Sequence, residues 1–129
     1  MKKTMTILMS LFFVVAIFNQ AKAQQKTPEE KAKIQTDKLV TSLNLTKVQT
    51  DKVHAIALKY AEKIENVRLN NSLIAEERQD QIKDLREERE QELKTVLTPE
   101  QFEKYKELKP QWKKENREQR KLEQLKKMK

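Results

Sequence analysis

The sequence predicts an all-α protein, and three observations support that prediction. The 129 residues include no glycine and only three prolines, so residues that form tight turns are scarce. Charged side chains make up 37% of the chain, which leaves few residues for buried strands and favours long helices with solvated faces. Threonine followed three residues later by Glu or Gln, the spacing of a helix capping box, occurs before three segments. We therefore expect a small protein of four amphipathic helices.

Residues 1–23 have the pattern of a cleaved secretory signal peptide. Lys2 and Lys3 precede an apolar stretch over residues 7–18, and Ala21-Lys22-Ala23 forms a small-x-small cleavage site. An apolar run of about 12 residues is short for a bilayer that needs roughly 20, so no stable membrane insertion is expected. The absence of cysteine excludes disulfides, thiolate metal sites and lipid attachment at a cysteine. We expect an exported protein held together by packing alone.

Two helices are predicted in the first half of the exported chain. Thr27, Pro28 and Glu30 are a start signal for a helix over residues 28–42, and Thr46 with Gln49 opens the next. Three- and four-residue spacing of apolar residues marks the buried side of each helix. These residues are Ala32, Leu39, Val40 and Leu43 in the first helix, and Val53, Ile56, Ala57, Tyr60, Ile64 and Val67 in the second.

A third helix is predicted over residues 73–97, after an interruption at Asn70-Asn71-Ser72, whose side chains favour turns. Its expected buried side consists of Ile74, Ile82, Leu85, Leu93 and Val96. Its dense charges are interpreted as a solvated surface with ion pairs one turn apart. The expected pairs are Lys83–Glu87, Arg86–Glu90 and Glu90–Lys94.

The fourth helix begins at the third capping box, Thr98 to Gln101, and places Phe102, Tyr105, Leu108 and Trp112 on one side. Pro110 removes a backbone donor and disfavours helical geometry at Lys109, so we expect a kink or break near residues 108–110. The domains predicted are thus the signal at 1–23, a helical domain at 24–109 and a basic C-terminal arm at 110–129.

In the exported chain, the excess of basic residues is confined to the C-terminal end. Residues 24–108 hold 16 basic and 17 acidic side chains, whereas residues 109–129 hold nine basic and three acidic ones. With few apolar residues, this arm is expected to be frayed or mobile. It would recruit acidic clients or the anionic envelope surface, or be a solvated tail without function. Its candidate client-binding residues are Lys113, Lys114, Arg117, Arg120 and Lys121.

Two strings of the form LTxxQ, 52 residues apart, join one predicted helix to the next. The first contains Leu45, Thr46 and Gln49, and the second contains Leu97, Thr98 and Gln101. Taken alone they are two ordinary capping boxes. Combined with the export signal and the cysteine-free, charged helices, they resemble the Spy/CpxP family of periplasmic proteins, in which a pair of LTxxQ motifs is the hallmark. The resemblance covers about residues 40–110.

The resemblance implies a curved, antiparallel dimer, and an architectural role for the six motif residues at the corners between helices. Better-known members of that family bind unfolding clients without ATP, others tune an envelope-stress sensor, and one branch binds zinc. Zinc is not expected here, because His54 is the only histidine and the remaining ligands would be carboxylates. No motif of the family matches the terminal arms.

The residues give little support for catalysis or for nucleic-acid binding. Without glycine, the chain can form neither a nucleophile elbow nor a phosphate-cradling loop, so no enzyme activity and no cofactor are expected. A pI near 9.6 usually suggests nucleic acid, but the expected export removes that partner and the helical body is nearly neutral.

The sequence therefore predicts an ATP-independent periplasmic chaperone, a homodimer that binds unfolded or misfolded envelope proteins. Two alternatives remain open. One is a regulatory adaptor that binds a membrane stress sensor in the envelope, and the other is a structural helical protein attached to the envelope surface.

Overall fold

The computed structural model describes residues 26–129, and every regular element in that range is an α-helix. The helices are α1 (Pro28–Leu43), α2 (Lys47–Arg68), α3 (Ala75–Val96) and α4 (Pro99–Lys127). The predicted all-α class and the number of helices are confirmed for these residues. The predicted signal peptide at 1–23 lies outside the described residues.

Three of the four helix starts in residues 26–129 have a threonine N-cap, as the capping-box spacing predicted. Thr27 Oγ1 accepts a hydrogen bond of 3.2 Å from the backbone amide of Glu30, and Thr46 and Thr98 each cap the helix that follows. Helix α1 ends at Asn44, which adopts the left-handed conformation with φ of 52°. Asparagine tolerates this region better than most residues, so the chain can turn there without glycine.

The turn between α2 and α3 contains the predicted interruption, but α3 begins later than predicted. Asn70 Oδ1 accepts a hydrogen bond of 3.0 Å from the Ser72 amide, which is a turn typical of asparagine. Ile74 was predicted to lie on the buried side of α3, and this is wrong, because Ile74 is the N-cap residue and is 62% exposed. The Glu77 carboxylate accepts a 3.4 Å hydrogen bond from the Ile74 amide, a cap that sequence reasoning missed.

The core lies where α1, α2, α3 and the first turns of α4 meet. Helix α2 packs between α1 and α3, while α4 contacts α1 and α3. The buried cluster comprises Leu39, Leu43, Val53, Leu93, Leu97 and Tyr105, with Leu45, Ile56, Val96, Phe102, Leu108 and Trp112 packed around it. The apolar spacing predicted most of this core, because the same residues recur on one side of each helix.

The break expected at Pro110 is wrong, because α4 continues through it to Lys127. Proline deprives the carbonyl of Lys106, four residues earlier, of its helical donor. Lys106 and Pro110 both lie on the solvent side, where water can satisfy that carbonyl. Tyr105 and Trp112, before and after the proline, both pack in or against the core.

The basic C-terminal segment is helical and continuous with the rest of α4. Residues 113–127 are helical, and every residue from 113 to 129 is exposed. The segment is rich in Lys, Arg, Glu and Gln, which favour helices. The cations at Lys126 and Lys127 lie at the C-terminal end of the helix, where its dipole is negative. Because Trp112 contacts the core, the part without packing begins after it and not at Pro110.

Ion pairs connect neighbouring helices instead of successive turns of α3. Lys31 pairs with Glu65 at 3.5 Å, Lys59 with Glu92 at 2.6 Å, and Lys109 with Glu90 at 2.6 Å. Within residues 26–129 the three pairs predicted along α3 do not form, and in two of them the predicted partner Glu90 pairs instead with Lys109 of α4. These groups are partly solvated, so the pairs contribute little to stability.

Candidate functional site

Each LTxxQ motif forms a complete capping box at the start of a helix. Gln49 donates its backbone amide to Thr46 Oγ1 at 3.2 Å, and Gln49 Oε1 accepts from the Thr46 amide at 3.0 Å. The second motif repeats this geometry: Gln101 N to Thr98 Oγ1 is 3.2 Å, and Thr98 N to Gln101 Oε1 is 3.0 Å. Two amides that a helix start would otherwise leave without partners are thus satisfied in each motif.

Each glutamine also binds the end of the helix that precedes the other motif. Gln49 Nε2 donates to the carbonyl of Val96, in the last turn of α3, at 3.2 Å. Gln101 Nε2 donates to the carbonyl of Leu43, at the end of α1, at 3.1 Å. A helix end leaves four carbonyls without helical donors, so each glutamine caps one helix end while it caps its own helix start.

The two glutamines bind each other directly. Gln49 Nε2 lies 2.8 Å from Gln101 Oε1, and Gln101 Nε2 lies 3.3 Å from Gln49 Oε1. Each side-chain amide therefore uses both donors and both acceptor positions, which is all that its chemistry allows. We call Thr46, Gln49, Thr98 and Gln101 the glutamine junction, and its bonds relate the two motifs by an approximate twofold symmetry.

The leucines of the two motifs anchor the glutamine junction to the core. Leu97 is buried, and Leu45 is half-buried against the same cluster. The sequence placed the six motif residues at two separate corners, whereas the structure brings both corners together. The two motifs share the same internal spacing, but that spacing carries no information about the distance between the motifs in space.

The candidate client-binding residues lie together on the solvent side of α4. At about 100° per residue, these five side chains fall within an arc of about 120° of the helix circumference. They are Lys113, Lys114, Arg117, Arg120 and Lys121, and all are exposed. None of the ion pairs between residues 26 and 129 includes any of them.

Arginines of three helices gather near this end of α4. Burial lowers the pKa of Arg86 on α3, and repulsion from Arg89, Arg120 and Arg68 lowers it further. Arginine remains charged at neutral pH despite such a shift. Cationic side chains of α2 and of the middle of α3 therefore lie near Arg120 of α4.

The structure of residues 26–129 gives little support for a metal site or for a ligand-binding pocket. Residues 26–129 contain no group of three His, Cys, Asp or Glu side chains placed to hold a metal ion. His54 is exposed, with Nδ1 3.5 Å from Thr36 Oγ1. The depression lined by Pro99, Glu100, Glu103, Lys104 and Glu107 is shallow and open to solvent.

None of the helices described here is long and apolar enough to cross a bilayer.

The fold and the glutamine junction define a small helical protein whose two helix corners are joined by paired capping boxes. A family profile described as a domain of unknown function (DUF4890) matches residues 17–105, which is more than half of the chain. The chain belongs to this family. The matched residues include both LTxxQ motifs, whereas the basic second half of α4 lies beyond them. Neither the curated proteins nor the solved structures include a match to the chain.

Proposed function

We propose that this protein is an ATP-independent periplasmic chaperone that binds unfolded or misfolded envelope proteins as a homodimer. The observation that carries the proposal is the surface of α1 to α3, where large apolar side chains stay in solvent between charged ones. Ile34 is 47% exposed, Val48 63%, Leu69 67% and Ile74 62%.

Such a surface suits partners without a fixed shape. The four apolar side chains belong to different parts of the body, so an unfolded chain could contact several of them through weak, separate interactions. Charged residues around them attract polypeptides at long range and keep the apolar contacts from becoming irreversible. The resemblance of the LTxxQ motifs to those of the Spy/CpxP family also supports the proposal.

The proposal is tested by suppression of aggregation with several unrelated unfolded clients. A variant with Val48→Ser and Leu69→Ser should lose most of its suppression, because two of the most exposed apolar side chains of the body are removed. The matched control carries Gln79→Ser and Gln91→Ser, which replace exposed polar residues of α3. The control should suppress aggregation as well as the parent chain.

A second result separates a chaperone from a regulatory adaptor. A chaperone of this kind suppresses aggregation of several clients at comparable molar ratios. An adaptor that binds a stress sensor would be inactive on all of them, and that result would overturn the proposal. Equal activity of the apolar variant and its control would show that another surface binds the clients.

A further inference from the structure

We propose that the exposed second half of α4 binds the surface of an anionic phospholipid bilayer. The binding face is the arc that contains the five basic residues Lys113, Lys114, Arg117, Arg120 and Lys121, here called the basic face. This proposal does not depend on the chaperone function, because it concerns a different surface of the molecule.

Five of the seven cations between residues 113 and 128 lie on one side of this helix segment, whereas Lys126 projects opposite to the centre of that side. In the same helical projection, Glu115 and Glu123 lie at least about 120° from the centre of the basic face, and Glu118 lies about 100° from it. Tyr105 and Trp112, which pack on the body, also lie more than 100° from that centre. The centre of the basic face therefore points away from the protein and from most of the acidic residues, while Arg120 at its edge lies near Arg86 of α3.

Apolar side chains extend the basic face at its C-terminal end. Met128 projects within the arc and Leu125 directly beside it, and they are 83% and 60% exposed. Residues 113–128 span about 22 Å along one helix axis at 1.5 Å per residue. A helix with cations and exposed apolar side chains on one side is suited to lie in the interface of an anionic membrane.

These features favour a membrane over an acidic polypeptide as the partner. A flat anionic surface can contact all the side chains on one side of a straight helix at the same time. An acidic polypeptide would be held by the cations alone and would leave Leu125 and Met128 in water. The apolar side chains therefore distinguish the two partners experimentally.

The test is co-sedimentation with phosphatidylcholine vesicles that contain or lack phosphatidylglycerol. The charge variant carries Lys114→Gln, Arg117→Gln and Lys121→Gln. Its control carries Lys33→Gln, Lys47→Gln and Lys52→Gln, which remove the same net charge from exposed positions on α1 and α2. Residues 1–25 are the same in all chains, so any contribution they make to vesicle binding cancels in the comparison.

We expect the charge variant to lose about tenfold or more in partitioning to the anionic vesicles, since each cation near such a surface contributes favourably. The control should lose less than about threefold, because its charges lie away from the contact. A Leu125→Ser and Met128→Ser variant should also bind the vesicles more weakly, while its binding to polyglutamate stays unchanged.

Two results would overturn the proposal. Equal losses in the charge variant and its control would mean that net charge alone drives binding. Full retention of vesicle binding by the Leu125→Ser and Met128→Ser variant, together with tight binding to polyglutamate, would assign the basic face to acidic polypeptides.

Discussion

Gln49 and Gln101 each make four hydrogen bonds through one side-chain amide, and these bonds connect the ends of all four helices. Within the described chain this is the densest set of polar contacts between distant parts of the sequence. Removing either glutamine leaves its own partners, including the other glutamine, without a donor or an acceptor. The cost of losing such a bond depends on whether the abandoned group can reach water.

We predict that Gln49→Ala and Gln101→Ala each lower the free energy of unfolding by about 1–3 kcal/mol, because each leaves a half-buried carbonyl and amide without a partner. The double variant should cost less than the sum of the two, with a coupling energy of about 0.5–3 kcal/mol. Chemical denaturation of the four chains measures this cycle. Gln91→Ala on the exposed side of α3 is the control and should change stability by less than about 0.5 kcal/mol. Strict additivity would contradict a direct glutamine pair.

The threonine caps make a separate contribution. Thr46→Ala and Thr98→Ala should each destabilise the protein by about 0.5–2 kcal/mol, since each removes the acceptor for a first-turn amide. Thr41→Ala is the matched control, because its hydroxyl bonds the Asp37 carbonyl within α1 and no helix start depends on it. Thermal melting should show no loss for this control. Unchanged melting of both cap variants would refute the capping role.

Tyr105 makes stability sensitive to alkaline pH. Burial raises the pKa of its hydroxyl above the ordinary value of 10.0. The tyrosine hydroxyl therefore ionises at a lower pH in the unfolded chain than in the folded one. Its contribution to stability is fully present below the unfolded pKa and is lost as pH rises through the folded pKa. We predict that Tyr105→Phe flattens the fall in unfolding free energy above about pH 10. Denaturant titrations at a series of alkaline pH values measure the slope. A slope equal to that of the parent chain would contradict the prediction.

At the scale of the elements, periodicity and capping signals predicted α1 and α2 within a residue or two. Both depend on local sequence, and local sequence determines where a helix begins and which side of it is apolar. The prediction errors arose where contacts between helices, and not the local sequence, determine the structure. Pro110 was expected to break α4, but its position on the solvent side and the packing of Trp112 keep the helix continuous. The contact between the two LTxxQ motifs also depends on tertiary packing, so no local pattern could predict it.

The continuity of α4 predicts how Pro110→Ala behaves. Alanine is about 3 kcal/mol better than proline inside a helix, and the greater freedom of the unfolded chain offsets about 0.4–1 kcal/mol of that gain. We expect a net stabilisation of about 2 kcal/mol with unchanged helical content by circular dichroism. Pro99→Ala is the control of opposite sign, because Pro99 occupies the first turn and its loss should cost up to about 1 kcal/mol. A marked rise in helical content in Pro110→Ala would show that the proline does end the helix.

At the scale of the whole molecule, the core is small for the number of helices that share it. The largest side chains with almost no exposure are Leu39, Leu93 and Val53, and all three lie near the glutamine junction. Towards the turn between α2 and α3 the apolar residues become half-buried or exposed, as at Ile82, Leu85 and Leu69. Large apolar side chains left in water favour association with another apolar surface. These exposed residues are therefore candidates for both client binding and self-association.

We predict that the protein forms a homodimer through the surface of α1 to α3, because the large apolar side chains that this surface leaves in water favour association with another apolar surface. Sedimentation velocity should show a monomer at low protein concentration and a dimer at high micromolar concentration. A chain that ends after Asn116 keeps Trp112 on the core and lacks most of the exposed end of α4, so it should dimerise as the parent does. The Val48→Ser and Leu69→Ser variant should shift the monomer–dimer transition to higher concentration. A strictly monomeric parent chain at every concentration would show that these apolar side chains are reserved for other partners.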